Sequence, residues 1–169
     1  LITYHTSWVS FYYDNFHKLL KNKKVLELGC GDCKNSAILS YFGAEVYSND
    51  ISQKSGEIIK SLNEKMNFRK NITFIDGDFL DAEIEMNKFD LVVGKAFVHH
   101  LTNDEEELFL NKISKVLRPD GRVRFVEPCV NSKVLDEIRW LIPTPGRPSK
   151  LQFEKFKVYK LNDPHPERD

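Results

Sequence analysis

The stretch Val-Leu-Glu-Leu-Gly-Cys-Gly-Asp-Cys, residues 25–33, joins a short apolar run to two closely spaced glycines. A helical window follows it, with apolar residues at Ile38, Leu39, Tyr41 and Phe42. The order strand, glycine turn and helix is typical of open α/β sheets, in which ligands bind at the carboxyl ends of the strands. Glycine permits a tight turn there and lets a ligand approach bare backbone. We therefore expect a binding site at this turn.

Short β-rich runs alternate with amphipathic helical windows along the rest of the chain. Further strands are predicted over residues 45–49, 72–75, 89–93 and 123–126. Helices are predicted from about Trp8 to Leu20, after Ser52 with the apolar face Ile58, Ile59, Leu62 and Met66, after a Thr102–Glu105 capping box, and over Ser132–Leu141. A turn at Arg118-Pro119-Asp120-Gly121 and a short strand over Phe156–Tyr159 complete the pattern. This alternation predicts an α/β fold with a doubly wound, mostly parallel sheet.

The composition limits the class of protein. A chain of 169 residues predicts one domain with a sizeable core. Its 25 Lys and Arg residues balance 25 Asp and Glu residues, and this neutral charge makes a nucleic-acid partner unlikely. Three cysteines (Cys30, Cys33, Cys129) are too few for a disulfide framework, so we expect the reducing cytoplasm. No stretch approaches the roughly 18 apolar residues of a membrane span, and a start at Leu1 is expected of a fragment.

Two other kinds of site compete for the glycine turn. One is a dinucleotide fingerprint, G-x-G-x-x-G, which residues 29–34 begin but complete with lysine instead of glycine. The other is a redox or zinc pair formed by Cys30 and Cys33. A lone pair cannot supply four zinc ligands, although His99 and His100 could complete the set. The structural alternative to both sites is a tight turn in which the two thiols are packed. This alternative is compatible with a third interpretation of the turn, which comes from a family resemblance.

The run VLELGCGDC at residues 25–33 resembles motif I of the class I S-adenosylmethionine-dependent methyltransferases. Leu117–Arg122 (LRPDGR) resembles the turn before their fifth strand, and His99–Leu101 (HHL) resembles a segment common in members that act on small molecules. The resemblance covers about residues 24–128 and implies the Rossmann-like methyltransferase fold. It departs from the family at Cys33, where many members have a third glycine.

The resemblance implies S-adenosylmethionine as the cofactor and S-adenosylhomocysteine as its product. It places Glu27 toward the methionine amino group, and the backbone of Gly29, Cys30 and Gly31 against the cofactor. The implied activity is methyl transfer to a small-molecule acceptor. The alternatives are an RNA or protein methyltransferase, or a non-catalytic cofactor-binding domain of the same fold.

Acidic residues follow the second and third strands as well as marking the first. A carboxylate at Asp50, about twenty residues after the turn, can accept two hydrogen bonds, and the resemblance assigns it to the ribose hydroxyls. Ile51 would then pack against the adenine. By the same resemblance Asp78 accepts from the adenine amine and Phe79 donates a backbone N–H to the ring, with Asp76 and Asp81 as close rivals of Asp78.

The segment after the fourth strand carries the candidate catalytic residues. Lys95 is a further candidate cofactor contact, because backbone just after this strand borders the cofactor in the family. His99 and His100 are the candidate general bases, since an imidazole titrates near neutral pH. The alternative for each histidine is a side chain packed under the loop.

The predicted layout is a single methyltransferase domain in three segments. Residues 1–22 form a helical cap, residues 23–128 the cofactor-binding core, and residues 129–169 the substrate-side region. The family's sheet ends with two further strands, the last one antiparallel. Residues 129–169 do not contain both patterns, so we expect a truncated or divergent C-terminal part.

Overall fold

The computed structural model describes residues 6–127, 138, 140–143 and 148–161. The chain divides into two compact units, residues 1–127 and 128–169. Strands of the first unit are β1 Lys24–Leu28, β2 Glu45–Asp50, β3 Thr73–Asp76, β4 Phe89–Lys95 and β5 Leu117–Val126. Its helices are α1 Thr6–Phe11, α2 Lys34–Tyr41, α3 Gln53–Lys65 and α4 Asn103–Val116, with 3₁₀ turns at Phe16–Leu19 and Val98–His100.

The five strands form one sheet in the order β3-β2-β1-β4-β5. Each of the four pairings in the described part of the sheet is parallel, and Leu28 of β1 lies level with Asn49 on one side and Gly94 on the other. The strand order reverses between β1 and β4. In open α/β sheets a ligand crevice forms outside the carboxyl ends of the strands at such a reversal. The predicted α/β fold with a doubly wound parallel sheet is confirmed.

Apolar side chains cover both faces of this sheet. Alternate residues of β1 enter two separate clusters, with Val25 in one and Leu26 in the other. The first cluster includes Leu39 of α2 and Ile59 of α3, and the second includes residues of α4 such as Phe109. Burial on both faces explains why neighbouring residues are apolar within β1 and β4, as in Val25-Leu26 and Leu91-Val92-Val93.

The helix starts follow the sequence signals to different degrees. At α4 the predicted capping box is present: the Thr102 side chain accepts from the Glu105 backbone N–H, and the Glu105 carboxylate accepts from the Thr102 backbone N–H. Ser52 precedes α3, but its side chain makes no capping hydrogen bond. Of the predicted apolar face of α3, Met66 lies beyond the end of the helix and is exposed.

The prediction of one N-terminal helix over Trp8–Leu20 is wrong. Helix α1 ends at Phe11, and Asp14 and Asn15 take left-handed backbone conformations with φ of 57° and 56°. Two such residues cannot continue a right-handed helix. The segment still buries most of its apolar side chains, including Tyr12, because the turn folds them back onto the same cluster.

The predicted Arg118–Gly121 turn lies inside strand β5. Leu117 pairs with Phe89, and the next pair joins Arg122 to Leu91. Two residue steps on β4 therefore face five on β5, so the extra residues bulge from the strand. The predicted strand over 123–126 is present but starts earlier, at Leu117.

In the second unit, the predicted strand over Phe156–Tyr159 is wrong. These residues belong to helix α5, Phe153–Leu161. The Trp140 ring lies 5.4 Å from the ring of Phe156 and 6.2 Å from the ring of Tyr159. Residues three apart share a helix face, so this contact favours the helix. The predicted helix Ser132–Leu141 lies mostly outside the described residues.

Candidate active site

The glycine turn after β1 has a left-handed backbone conformation at two positions, which glycine adopts without a steric penalty. Gly29 and Gly31 have positive φ of 64° and 49°. A Cβ added to Gly29 would lie 2.5 Å from Cδ2 of Phe97, so the loop after β4 packs directly on this residue. A Cβ added to Gly31 would meet no atom within 4 Å. The first glycine is thus required by packing, while the second exposes backbone at the carboxyl edge of the sheet.

Asp50 holds this turn from the end of β2. One carboxylate oxygen accepts from the Gly31 N–H at 2.7 Å, and the other accepts from the Ser52 N–H at 2.9 Å. The Ser55 hydroxyl donates to the Gly31 carbonyl at 2.9 Å. Each carboxylate oxygen keeps a second lone pair for a ligand. Ile51, beside this carboxylate, has 79% of its surface exposed.

The loop after β3 is fixed to β2 in a similar way. The Asn49 side-chain amide donates to the carbonyls of Ile75 and Gly77, at 3.0 and 2.9 Å. Gly77 has φ of 91°, and a Cβ there would meet no atom within 4 Å. A second stretch of accessible backbone therefore follows β3, at the same edge of the sheet as the first but separated from it by β2.

The predicted acids of this loop occupy different positions. Asp76 ends β3 and pairs in register with Asp50. The Asp78 carboxylate accepts from the Leu80 N–H at 2.8 Å and so closes a local turn. The Phe79 side chain is buried in the core below. Asp78 therefore lies in the loop at the carboxyl edge of the sheet, as predicted. Because the Phe79 side chain is buried, only its backbone is available for a cofactor contact.

Glu27 is buried beneath the glycine turn, with 2% of its surface exposed. The Asn35 side-chain amide donates to one carboxylate oxygen at 2.8 Å, and the hydroxyls of Ser36 and Ser48 donate to the other. The Tyr12 hydroxyl extends this network by donating to Asn35 at 2.8 Å. Burial raises the pKa of Glu27 to about 7, although the three hydrogen bonds act to lower it. The predicted contact with a methionine amino group remains a prediction.

The raised pKa of Glu27 predicts a pH-dependent stability. Between pH 4.5 and about 7 the folded state keeps a proton that the unfolded state has lost, so the free energy of unfolding falls as pH rises through this window. The loss is on the order of 3 kcal/mol. We expect Glu27→Gln, which stays neutral, to be more stable than the wild type at pH 8 and to lose that advantage at pH 5. Urea unfolding at both pH values measures this, and an equal difference at the two would contradict it.

Cys30 and Cys33 are free, buried thiols with their sulfurs 3.8 Å apart. The hydrogen bond between them and burial raise the pKa of Cys30, which keeps that thiol protonated and unreactive. Within the described ranges, no group of three His, Cys, Asp or Glu is placed to hold a metal ion. The site therefore offers no support for the zinc alternative.

The loop after β4 brings the predicted catalytic residues to the same edge. The Lys95 ammonium lies 4.7 Å from the ring centre of Trp8, so its charge is directed to the N-terminal helix. The rings of His99 and His100 lie 4.2 Å apart. Nδ1 of His99 lies 2.6 Å from a carboxylate oxygen of Glu127.

Glu127 is the site residue that the sequence reasoning missed. It comes directly after β5, and its other carboxylate oxygen accepts from the backbone N–H groups of Phe97 and Val98, at 3.0 and 2.9 Å. Burial acts to raise its pKa, but these bonds and the one with His99 hold the pKa below its usual range. Its position was the available sequence signal. Glu127 is an acid directly after β5, and Asp50 is an acid at the end of β2.

The comparisons with known proteins agree with this geometry. A family model described as a methyltransferase domain matches residues 25–121, more than half of the chain. The chain belongs to the class I S-adenosylmethionine-dependent methyltransferase family. The match includes the glycine turn and the loops after β2, β3 and β4.

Curated relatives of this methyltransferase domain carry related names. An uncharacterized methyltransferase of Bacillus mycoides is 31% identical over 114 residues, which cover 68% of this chain and 50% of the relative. Phosphoethanolamine N-methyltransferase 1 of Triticum aestivum is 32% identical over 139 residues, covering 80% of this chain and 27% of the relative. The chain spans about half the length of the first of these relatives, and less of the second.

Solved structures share the fold of the methyltransferase domain. The PH0226 protein of Pyrococcus horikoshii matches with a TM-score of 0.65 at 25% identity, covering 79% of this chain and 58% of that one. Magnesium protoporphyrin IX methyltransferase of Synechocystis, solved with bound S-adenosylhomocysteine, matches with a TM-score of 0.62 at 23% identity, covering 89% and 69%. Among the described residues, no helix is long and apolar enough to cross a membrane.

Proposed function

We propose that this domain binds S-adenosylmethionine at the carboxyl edge of its sheet and transfers the methyl group to a small-molecule acceptor. The observation that carries the proposal is the link between Asp50 and the Gly31 N–H. It joins a carboxylate suited to ribose hydroxyls to a turn whose backbone is open to a ligand. This turn follows β1, which borders the point where the strand order reverses.

The residues at this edge fit the adenosyl group. The lone pairs that remain on Asp50 suit two ribose hydroxyls, and the exposed Ile51 offers an apolar surface to the adenine. Asp78, in the next loop, offers an acceptor for the adenine amine. The backbone of Gly29, Cys30 and Gly31 would contact the methionine part of the cofactor.

Lys95 and Glu27 have weaker support as direct contacts. The Lys95 ammonium already lies over the Trp8 ring, so we assign only its backbone to the cofactor edge. Glu27 already receives three hydrogen bonds from its own chain. Its charge would act on a methionine ammonium from below the turn.

The chemistry required of the chain is modest. The cofactor, when bound, supplies a methyl group that its sulfonium has already activated. The chain has to hold the acceptor atom in line with that methyl group and remove a proton where the acceptor carries one. His99 and His100, after β4, lie at the edge where both tasks would be carried out.

A small-molecule acceptor is supported by the relatives and by the charge. Phosphoethanolamine N-methyltransferases occur among the similar proteins, including one from Plasmodium falciparum that is 27% identical over 117 residues, 69% of this chain and 43% of that protein. The balanced charge lacks the basic excess that phosphate backbones require. The free thiols of Cys30 and Cys33 favour a reducing compartment, which supports the cytoplasm.

Calorimetry of the full chain tests the cofactor. We expect heat of binding with S-adenosylmethionine and S-adenosylhomocysteine, and none with NAD or NADP, because the turn lacks the third glycine of a dinucleotide site. Clear NAD binding without a response to either adenosyl ligand would overturn the proposal. A screen of acceptor classes with methyl-labelled cofactor then identifies the substrate.

A further inference from the structure

The contact between His99 and Glu127 distinguishes the two nitrogens of the His99 ring. The distance from Nδ1 to the carboxylate oxygen is 2.6 Å. Charge-assisted N–H···O bonds measure about 2.7–2.9 Å, so this contact is a short hydrogen bond. An ionised carboxylate only accepts hydrogen bonds, so the proton of this bond belongs to Nδ1. A neutral imidazole carries one N–H, so its lone pair then lies on Nε2.

The Glu127 carboxylate is fixed in place by the loop that carries His99. Its Oε1 accepts from the N–H groups of Phe97 and Val98, at the start of the 3₁₀ turn that carries His99. Oε1 therefore anchors the carboxylate to the loop. Oε2 contacts the imidazole and also accepts from the His99 backbone N–H at 3.4 Å. The hydrogen bonds that depress the Glu127 pKa keep it ionised near neutral pH.

We propose that Glu127 is a positioning residue that holds His99 as its Nδ1–H tautomer, so that Nε2 of His99 is the general base for the methyl acceptor. The assignment rests on the proposed methyl-transfer function. In the step, an electron pair of the acceptor forms the bond to the methyl carbon, the carbon–sulfur electrons stay on sulfur, and the acceptor's proton moves to Nε2. The proton transfer is thus assigned to His99, and His100 packs beside its ring.

Nitrogen-15 NMR of the histidine-labelled full chain tests the tautomer without any substrate. In spectra that show a neutral imidazole, we expect long-range correlations to report a protonated Nδ1 and an unprotonated Nε2 for His99. The ring signals that disappear in His99→Asn belong to His99, and those that disappear in His100→Asn belong to His100, among the five histidines of the chain. A wild-type His99 that carries its proton on Nε2 would overturn the proposal.

The isosteric variant Glu127→Gln sharpens the test. Its amide oxygen can still accept from Phe97 and Val98, while its NH₂ faces Nδ1 and donates to it. We expect the His99 proton to move to Nε2 and the tautomer of His100 to stay unchanged. An unchanged His99 tautomer in the folded variant contradicts the proposal.

Activity and cofactor binding separate this proposal from the proposed function. With an acceptor in hand, Glu127→Gln should lower kcat about 10²–10⁴-fold with little change in KM, and adding His99→Ala should cause little further loss. Additive losses would contradict the proposal. If the chain binds no adenosyl ligand but His99 is the Nδ1–H tautomer, the proposed function is refuted. The positioning of His99 by Glu127 would still stand.

Discussion

Replacing His99 by alanine is expected to lower turnover about 10²–10⁴-fold, the range of a lost general base. The side chain lies after β4, beyond the β1–β3 loops proposed to hold the adenosine, so cofactor affinity should not change. Single-turnover rates with labelled cofactor measure the first quantity and calorimetry measures the second.

His100→Ala is the matched control for this prediction, because its ring stacks on that of His99. It should cost less turnover than His99→Ala. Parallel losses of cofactor affinity and thermal stability in the His99 variant would show that the ring serves only to pack the loop.

Asp50→Ala is expected to reduce affinity for S-adenosylmethionine at least about ten-fold. Hydrogen bonds to a charged acceptor contribute roughly 1.5–3 kcal/mol each, and two of them are proposed for the ribose. The variant also leaves the Gly31 and Ser52 N–H groups without their carboxylate acceptor, so the turn itself should loosen. Calorimetry measures the affinity and thermal unfolding measures the fold.

Asp50→Asn separates the two effects, because its amide oxygen can still accept one backbone N–H. Affinity should then fall less than in the alanine variant, with stability closer to the wild type. Wild-type affinity in a folded Asp50→Ala protein would place the ribose elsewhere.

The central sheet could be predicted because its signals are local. The strands at residues 25–28, 45–49 and 89–93 are short β-rich runs close to turn residues, and the structure has a strand at each. The capping box at Thr102 is equally local and was also correct. Each of these elements follows from neighbours within a few residues.

One failure arose where distant contacts decide the structure. The run Phe156–Tyr159 favours a strand by composition, but contacts of its rings with Trp140 accompany a helix. The N-terminal helix was overextended for a local reason: Asp and Asn tolerate the left-handed conformation, and the turn at Asp14 and Asn15 was overlooked.

The candidate site shows the same division. The sequence placed Asp50 and the two histidines at one edge through the order of strands. Glu127 was missed because its contact with His99 spans 28 positions of the chain. The predicted role of Glu27, in which it faces the methionine amino group through water, did not anticipate a carboxylate already bonded to Asn35 and two serines.

The hydrogen bond from Gly31 to Asp50 joins two parts of the fold itself, the turn after β1 and the end of β2. Because the fold makes this bond, the backbone entropy of ordering the turn is lost during folding and not during recognition. A preorganised turn leaves more of the interaction energy available as affinity. For the same reason it discriminates by shape, since a nucleoside that needs the turn to move must break a bond that the fold has already made.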